Sequence, residues 1–244
     1  MRKKFMQFAS LLTSGSRGRH IMVKRVSLGI LLAGVLSATA GVAQAGPPTG
    51  VSCGELITAP GQYYLTADCT GSGISIIASN VHLKLMGHTM TGIPFLTTGL
   101  FVANVSHVHI EGPGMITRHN RGIEFIGVSD SHIEQVSSTA NTTQGLLLRG
   151  STDTHVNNNV ISANTDDGIA VIDQSIDNHL NNNQAIGNTG DGIYVAAGST
   201  GNHVNGNTAL GNGAFDLEDL NPNCDNNKWN GNTFNTSNPA NCIH

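Results

Sequence analysis

Charge and aromatic surface are both scarce in this chain of 244 residues: Asp, Glu, Lys and Arg make up 11%, and Phe, Trp and Tyr 5%, with a single Trp. Basic residues are scarcest beyond position 45, where only Lys84, Arg118, Arg121, Arg149 and Lys228 occur, while no acidic residue precedes that point. Residues 46–244 thus set five basic against sixteen acidic side chains, a net charge of −11. That balance excludes nucleic acid as a partner, and it would repel a polyanionic polysaccharide unless a divalent cation bridged the two. No Cys-x-x-Cys pair occurs among Cys53, Cys69, Cys224 and Cys242, which excludes a thiolate zinc site. No window sustains a helical apolar stripe, so ankyrin-like and tetratricopeptide-like repeats are excluded as well. Nothing resembles a serine or cysteine nucleophile, a phosphate loop or a dinucleotide site.

The N-terminus reads as targeting sequence. Lys24-Arg25 precede an apolar stretch from Leu28 to Ala43, and Ala43-Gln44-Ala45 supplies an A-x-A cleavage signal, so the mature chain is expected to begin at Gly46. Met22 would open a signal of ordinary length, leaving residues 1–21 as an upstream extension. The stretch is rich in Gly and Ala and too short to span a bilayer, so no membrane span is expected in the mature chain. A secreted or periplasmic location follows, and it suits disulfides Cys53 to Cys69 and Cys224 to Cys242, each closing a short loop at one end.

What the chain has is repetition. Gly-Ile or a variant recurs at Gly73-Ile74, Gly99-Leu100, Gly122-Ile123, Gly145-Leu146, Gly168-Ile169, Gly192-Ile193 and Ala214-Phe215, at intervals of 26, 23, 23, 23, 24 and 22 residues. Self-similarity of this period signals a solenoid. Other columns share the phase: Val108, Ile133, Val156, Leu180, Val204 and Trp229, then Asn159, Asn183, Asn207 and Asn232, then Asn164, Asn188 and Asn212. Runs of three to five residues with period-two alternation, broken by polar turns, predict short strands. The expectation is an all-β, right-handed parallel β-helix of about seven coils over 71–218, with a leader at 1–45, an N-terminal cap at 46–70 and a C-terminal cap at 219–244. The stacked Asn columns predict amide ladders, each side chain donating to one neighbouring coil and accepting from the other.

The segment Asn80-Val-His-Leu-Lys-Leu-Met-Gly-His-Thr-Met-Thr-Gly92 and the later Asn-x-Val-x-x-Asn coils resemble right-handed β-helix repeat proteins of the pectin-lyase-like superfamily, over roughly Cys53 to the C-terminus. The resemblance implies the fold, and among activities it implies polysaccharide lyases, hydrolases and epimerases, beside members with no demonstrated catalysis. Asn164-Thr-Asp-Asp-Gly168 is similar to the Asn-Thr-Asp motif of polygalacturonases, but the next coil repeats it as Asn188-Thr-Gly-Asp-Gly192, and that family's Gly-His-Gly and Arg-Ile-Lys elements are missing. Lyase or epimerase chemistry is therefore expected ahead of galacturonan hydrolysis.

Two constellations offer chemistry. The Gly-Ile phase predicts an outward column of Phe101, Glu124, Leu147, Ala170, Tyr194 and Asp216, and a second one carrying Arg149. With the residues just before each Gly, these form a patch in which Asp166, Asp167, Asp191 and Arg149 are the candidate catalytic groups and Arg121, Glu124 and Tyr194 the candidate substrate contacts. Stacked Asp167 and Asp191 would lie about 5 Å apart and repel, raising one pKa, and the carboxylates are alternatively suited to Ca²⁺. The plain alternative is that Asp-Gly before a strand is turn chemistry. The second constellation is a histidine column, His107, His132, His155, His179 and His203, of which the last four are candidate metal ligands and which equally suits imidazole stacking with no metal.

Function thus reduces to a polysaccharide-active protein, a non-catalytic carbohydrate-binding or surface protein, or a metal-associated periplasmic protein. A monomer with polysaccharide as partner is expected. Coil length varies by only four residues, leaving little room for cleft-forming loops.

Overall fold

The computed structural model describes residues 46–244, and the leader, its cleavage signal and residues 1–21 lie outside the described residues. Short parallel strands wind into a β-solenoid of about eight turns, close to the seven expected. Nine strands stack into one sheet, from Leu56–Ile57 through Ile74–Ile76, Thr98–Ala103, Arg121–Ile126, Leu146–Arg149, Ile169–Ile172, Ile193–Val195 and Leu217–Asp219 to Ser237–Asn238. This is the Gly-Ile sheet. The remaining strands form a fourteen-stranded sheet with two faces, because the long strands Val108–Thr117 and Ser129–Thr139 turn the corner and pair on both sides of it.

Each face sends one apolar column inward at the coil spacing of about 4.8 Å. The Gly-Ile sheet contributes Ile74, Leu100, Ile123, Leu146, Ile169, Ile193 and Leu217 in continuous register, all fully buried. The opposite faces contribute Leu83, Ile110, Ile133, Val156, Leu180, Val204 and Trp229, and Met90, Ile116, Ile161, Ala185 and Ala209, the last column interrupted after Ile116 by Ser138, whose hydroxyl donates to the Gly145 carbonyl. Both disulfides form as expected, Cys53 with Cys69 and Cys224 with Cys242, at Cα separations of 5.7 and 6.0 Å. Trp229 closes the core near the second. Residues 49–70 already lay strands in both sheets, the strand Gly61–Leu65 pairing with Val81–Lys84. Among the described residues no helix is long and apolar enough to cross a membrane.

The recurring glycine has a packing cause. A Cβ on Gly99, Gly122 or Gly168 would meet the carbonyl oxygen of the next coil at 2.5, 2.5 or 2.6 Å, and one on Gly192 would meet that of Asp216 closer still, all nearer than carbon and oxygen tolerate. The column therefore records coils that approach at the turn, and none of these four glycines needs a left-handed backbone.

Asparagine ladders fix the coil register from inside. Asn183 is typical: its Oδ1 accepts from both the backbone N–H and Nδ2 of Asn159, at 3.0 Å each, and its Nδ2 donates to Asn207 Oδ1 at 3.0 Å and to the Val156 carbonyl at 2.7 Å. The series Asn141, Asn164, Asn188 and Asn212 repeats the pattern and ends on the Asp216 carboxylate. A third ladder, Asn178, Asn202 and Asn227, ends on Asp219, whose Oδ2 also accepts from the Trp229 indole at 2.9 Å. An acid suits the last rung because a carboxylate only accepts, and only donors point at it.

Two columns differ from the sequence reading by two residues. The stacked histidine before the inward apolar position is His109, not His107, since Ile110 pairs with Ile133 and His109 with His132. His107 sits one step before the strand in a left-handed conformation, φ 57°. Likewise Leu217, not Phe215, continues the Gly-Ile column, so Glu218 takes the outward place expected of Asp216, and Asp216 is buried as a ladder terminus. A two-residue slip keeps every side chain on its face, so alternation alone cannot detect it.

Candidate functional site

The edge of the Gly-Ile sheet where the turns enter carries a chain of polar side chains, one coil after another. Arg121 donates from Nη1 to Glu124 Oε1 and from Nε to Gln144 Oε1, both at 3.2 Å, and Gln144 Nε2 donates to Asp166 Oδ2. In register beyond Gln144 come Asp167 and Asp191, then Tyr194 and Glu218 side by side on the outer face. Asp167 Oδ1 accepts the backbone N–H of Asp191 at 2.9 Å, and Asp191 Oδ1 accepts that of Phe215 at 2.7 Å. These carboxylates therefore hold the turns of successive coils together, as the turn reading expects, and each keeps a second oxygen.

Their protonation is displaced. Burial pushes Asp167 up to about 6, against the lowering effect of the Asp191 N–H, with the charges of Asp166 and Glu218 adding to the rise. Burial likewise pushes Asp191 up to about 7, helped by the charges of Glu218 and Asp167 and by a hydrogen bond shared with Glu218. The Tyr194 hydroxyl is raised by burial and by the same three carboxylates. Because both acids bind protons more tightly folded than unfolded, the stability they lend is present below their ordinary value of 3.8 and is lost as pH rises through about 6 and about 7. Asp191→Asn, which imitates the protonated acid, is expected to raise stability at pH 8 by on the order of 1 kcal/mol after solvent screening and to leave it nearly unchanged at pH 4. Urea titrations at the two pH values check this, and equal effects at both would contradict it.

The sequence-predicted residues do not all converge. Asp166, Asp167, Asp191, Tyr194, Arg121 and Glu124 share the edge and the strand beginnings beside it. Arg149 does not: it pairs with Ile172, five residues along the strand from Asp167, or about 16 Å at strand rise, and its Nε lies 3.4 Å from Asp173 Oδ2. Of the outward column, Leu147 and Ala170 are buried and Glu124 is 5% exposed. Glu218 is the member sequence reading missed, and the slip to Phe215 hid it.

The opposite sheet carries six stacked histidines, one more than expected: His82, His109, His132, His155, His179 and His203. Ring centroids of successive pairs lie 4.4, 5.6, 4.9, 4.7 and 4.7 Å apart. His132, His155 and His179 are held below the usual imidazole value, first by burial and then by their neighbours' charge. His119, buried and hydrogen-bonded through Nδ1 to Thr97 Oγ1, is pushed down to about 4 by burial. For these groups the unfolded chain binds protons more readily, so stability present above about 6.5 is lost as pH falls through that value toward the lowered folded ones. The triple variant His132→Gln, His155→Gln, His179→Gln is expected to lose less melting temperature between pH 7 and pH 5 than the parent, and an unchanged pH slope would contradict the stacked-column account.

Residues 72–234 match the family described as the right-handed beta helix region, and the chain belongs to that family. No curated protein matches it. Among solved structures it is similar to the periplasmic alginate epimerase AlgG, with 21% identity and TM-score 0.50 over 66% of this chain and 39% of that one. It is also similar to the A-module of a mannuronan C-5 epimerase from Azotobacter vinelandii, with 15% identity and TM-score 0.48 over 77% of this chain and 67% of that one. For the pectate lyase Pel9A the values are 18% and 0.44, over 67% of this chain and 47% of that one. The chain thus spans well under half of the first of these relatives, and the likeness is one of fold.

Proposed function

We propose that this is an exported, carbohydrate-related β-helix protein, and that a saccharide chain lies along the edge of the Gly-Ile sheet across Asp166, Asp167, Asp191, Tyr194 and Glu218. The observation that carries the reading is the pair Asp167 and Asp191, on adjacent coils and pushed to about 6 and about 7. Near neutral pH such a pair presents one protonated and one ionised carboxyl, a donor and an acceptor for sugar hydroxyls. It also has the makings of an acid and a base for lyase or epimerase chemistry, in which a proton is taken from a ring carbon and another is delivered to oxygen or carbon. Tyr194 adds an aromatic face, and the even coil spacing suits a repeating ligand laid parallel to the solenoid axis. Arg121, two coils from Asp167, is the cation at this edge for a uronate carboxylate, with Ca²⁺ as the further bridge such a substrate would need against the protein's negative charge. The relationship to an alginate epimerase in fold supports the carbohydrate class.

The second reading is a non-catalytic carbohydrate-binding or surface protein, favoured by the use of Asp167 and Asp191 as acceptors for the next coil's N–H groups. Neutral and uronic-acid polysaccharides, with and without Ca²⁺, separate the two through unsaturated products, reducing ends and binding. Product formation that falls about a hundredfold or more in Asp167→Asn or Asp191→Asn supports catalysis. Binding without product supports the second reading, and neither binding nor product on any polymer rejects both.

A further inference from the structure

We infer that His82, His109, Glu111 and Glu134 form a site for one divalent transition-metal ion of the Zn²⁺ type on the outer face of the fourteen-stranded sheet, away from the acidic edge. His82 and His109 occupy adjacent coils in register, their rings parallel within 4° and 4.4 Å apart. Both direct Nε2 toward a carboxylate one coil further on: His82 to Glu111 Oε2 at 2.6 Å, and His109 to Glu134 Oε1 at 2.7 Å. Glu111 and Glu134 are themselves register neighbours, so two imidazoles and two carboxylates meet as a two-by-two array. Donor atoms of His82, His109 and Glu111 all lie within 4.8 Å of one another. Two imidazole nitrogens with carboxylate oxygens are the donor set that Zn²⁺ and its neighbours in the first row accept, while Ca²⁺ prefers oxygen alone.

The composition of the neighbouring column confines the site. Two residues beyond each histidine stand Lys84, Glu111, Glu134, Asn157, Asn181 and Asn205 in register, so on that side of the stack carboxylates occur only beside the first coils. His155, His179 and His203 have amides there instead, and although the charges of Asp153 and Asp177 reach His155 and His179, among the described residues it is His82, His109 and Glu111 whose donor atoms come within 4.8 Å of one another. The four donors are about one-third exposed, which leaves an entry path. Closing on one ion requires the first two rings to turn against each other, and the next pair, His109 and His132, already shows an interplanar angle of 59°. Lys84 Nζ lies 3.0 Å from Glu111 Oε2 and would compete with the ion for that oxygen.

Tag-free mature protein titrated with ZnCl₂ by calorimetry at neutral pH tests the site. One saturable equivalent is expected, with protons displaced and little or no response to CaCl₂. His82→Gln and Glu111→Gln should each weaken Zn²⁺ binding roughly tenfold or more, whereas His155→Gln and His179→Gln should leave it unchanged. Lys84→Gln should tighten binding, a gain that a folding defect cannot produce. Absence of saturable binding, or equal weakening by His155→Gln and His82→Gln, would overturn the inference.

Discussion

Asn183→Ala is expected to lower the unfolding free energy by roughly 3–5 kcal/mol, a large share of the stability of a domain this size. The side chain is fully buried and makes four hydrogen bonds between coils. Removing it leaves the backbone N–H of Asn159 without an acceptor, takes one acceptor from Asn159 Nδ2 and opens a cavity between layers that cannot collapse without breaking strand register. The outer-face counterpart is Asn181, whose amide donates to Asn157 Oδ1 at 3.1 Å and meets water as well. Asn181→Ala should cost well under about 1 kcal/mol. Urea unfolding of the two variants checks the contrast, and equal losses would mean that the inner ladder is not what locks the coils.

Gly168→Ala should be comparably damaging for a steric reason. Its Cβ would lie 2.6 Å from the Gly192 carbonyl oxygen, 2.7 Å from Asn188 Nδ2 and 3.3 Å from the Ala185 Cβ, so two coils must separate at the turn. Overpacking against backbone typically costs about 1–3 kcal/mol, and here it would also strain the adjoining Asn164 to Asn188 rung, so loss of soluble folded protein is the outcome at the severe end. Gly187 provides the control: with φ at 64° and no atom within 4 Å of where a Cβ would sit, Gly187→Ala bears only the left-handed backbone penalty of about 1 kcal/mol. If the two substitutions melted alike, close approach would not explain the glycine column.

The scaffold was legible in the sequence because its causes are periodic. Coil approach requires glycine at one phase, buried turns require asparagine at two others, and both leave columns that a simple alignment recovers. The ladder through Asn178, Asn202 and Asn227 escaped notice although each member stands beside an aligned residue, His179, His203 or Lys228. What the period could not supply was the phase where two solutions two residues apart share the same faces. Ser106-His-Val-His-Ile-Glu111 offers His-Val and His-Ile equally, and the last coil offers Ala214-Phe215 in place of Asp216-Leu217. Both slips fell on functional candidates, hiding His109 and Glu218. Arg149 shows a different limit: stacking puts residues of neighbouring coils in one patch, but only distance along the strand shows that its guanidinium lies near Asp173 rather than Asp167.

The proposed saccharide edge stands on side chains that also serve the fold, so binding and stability must be measured on the same variants. The most direct measurement is polysaccharide affinity for the parent, Tyr194→Ala and Asp167→Asn, each with its melting temperature, using whichever polymer the panel identifies. The account expects Tyr194→Ala and Asp167→Asn, which removes the ionised member of the pair, to weaken binding about tenfold or more while folding is retained, with Asp167→Asn at least as stable as the parent at pH 8. Undiminished binding in both variants, with only melting temperature changed, would contradict it and leave Asp167 and Asp191 as turn residues alone.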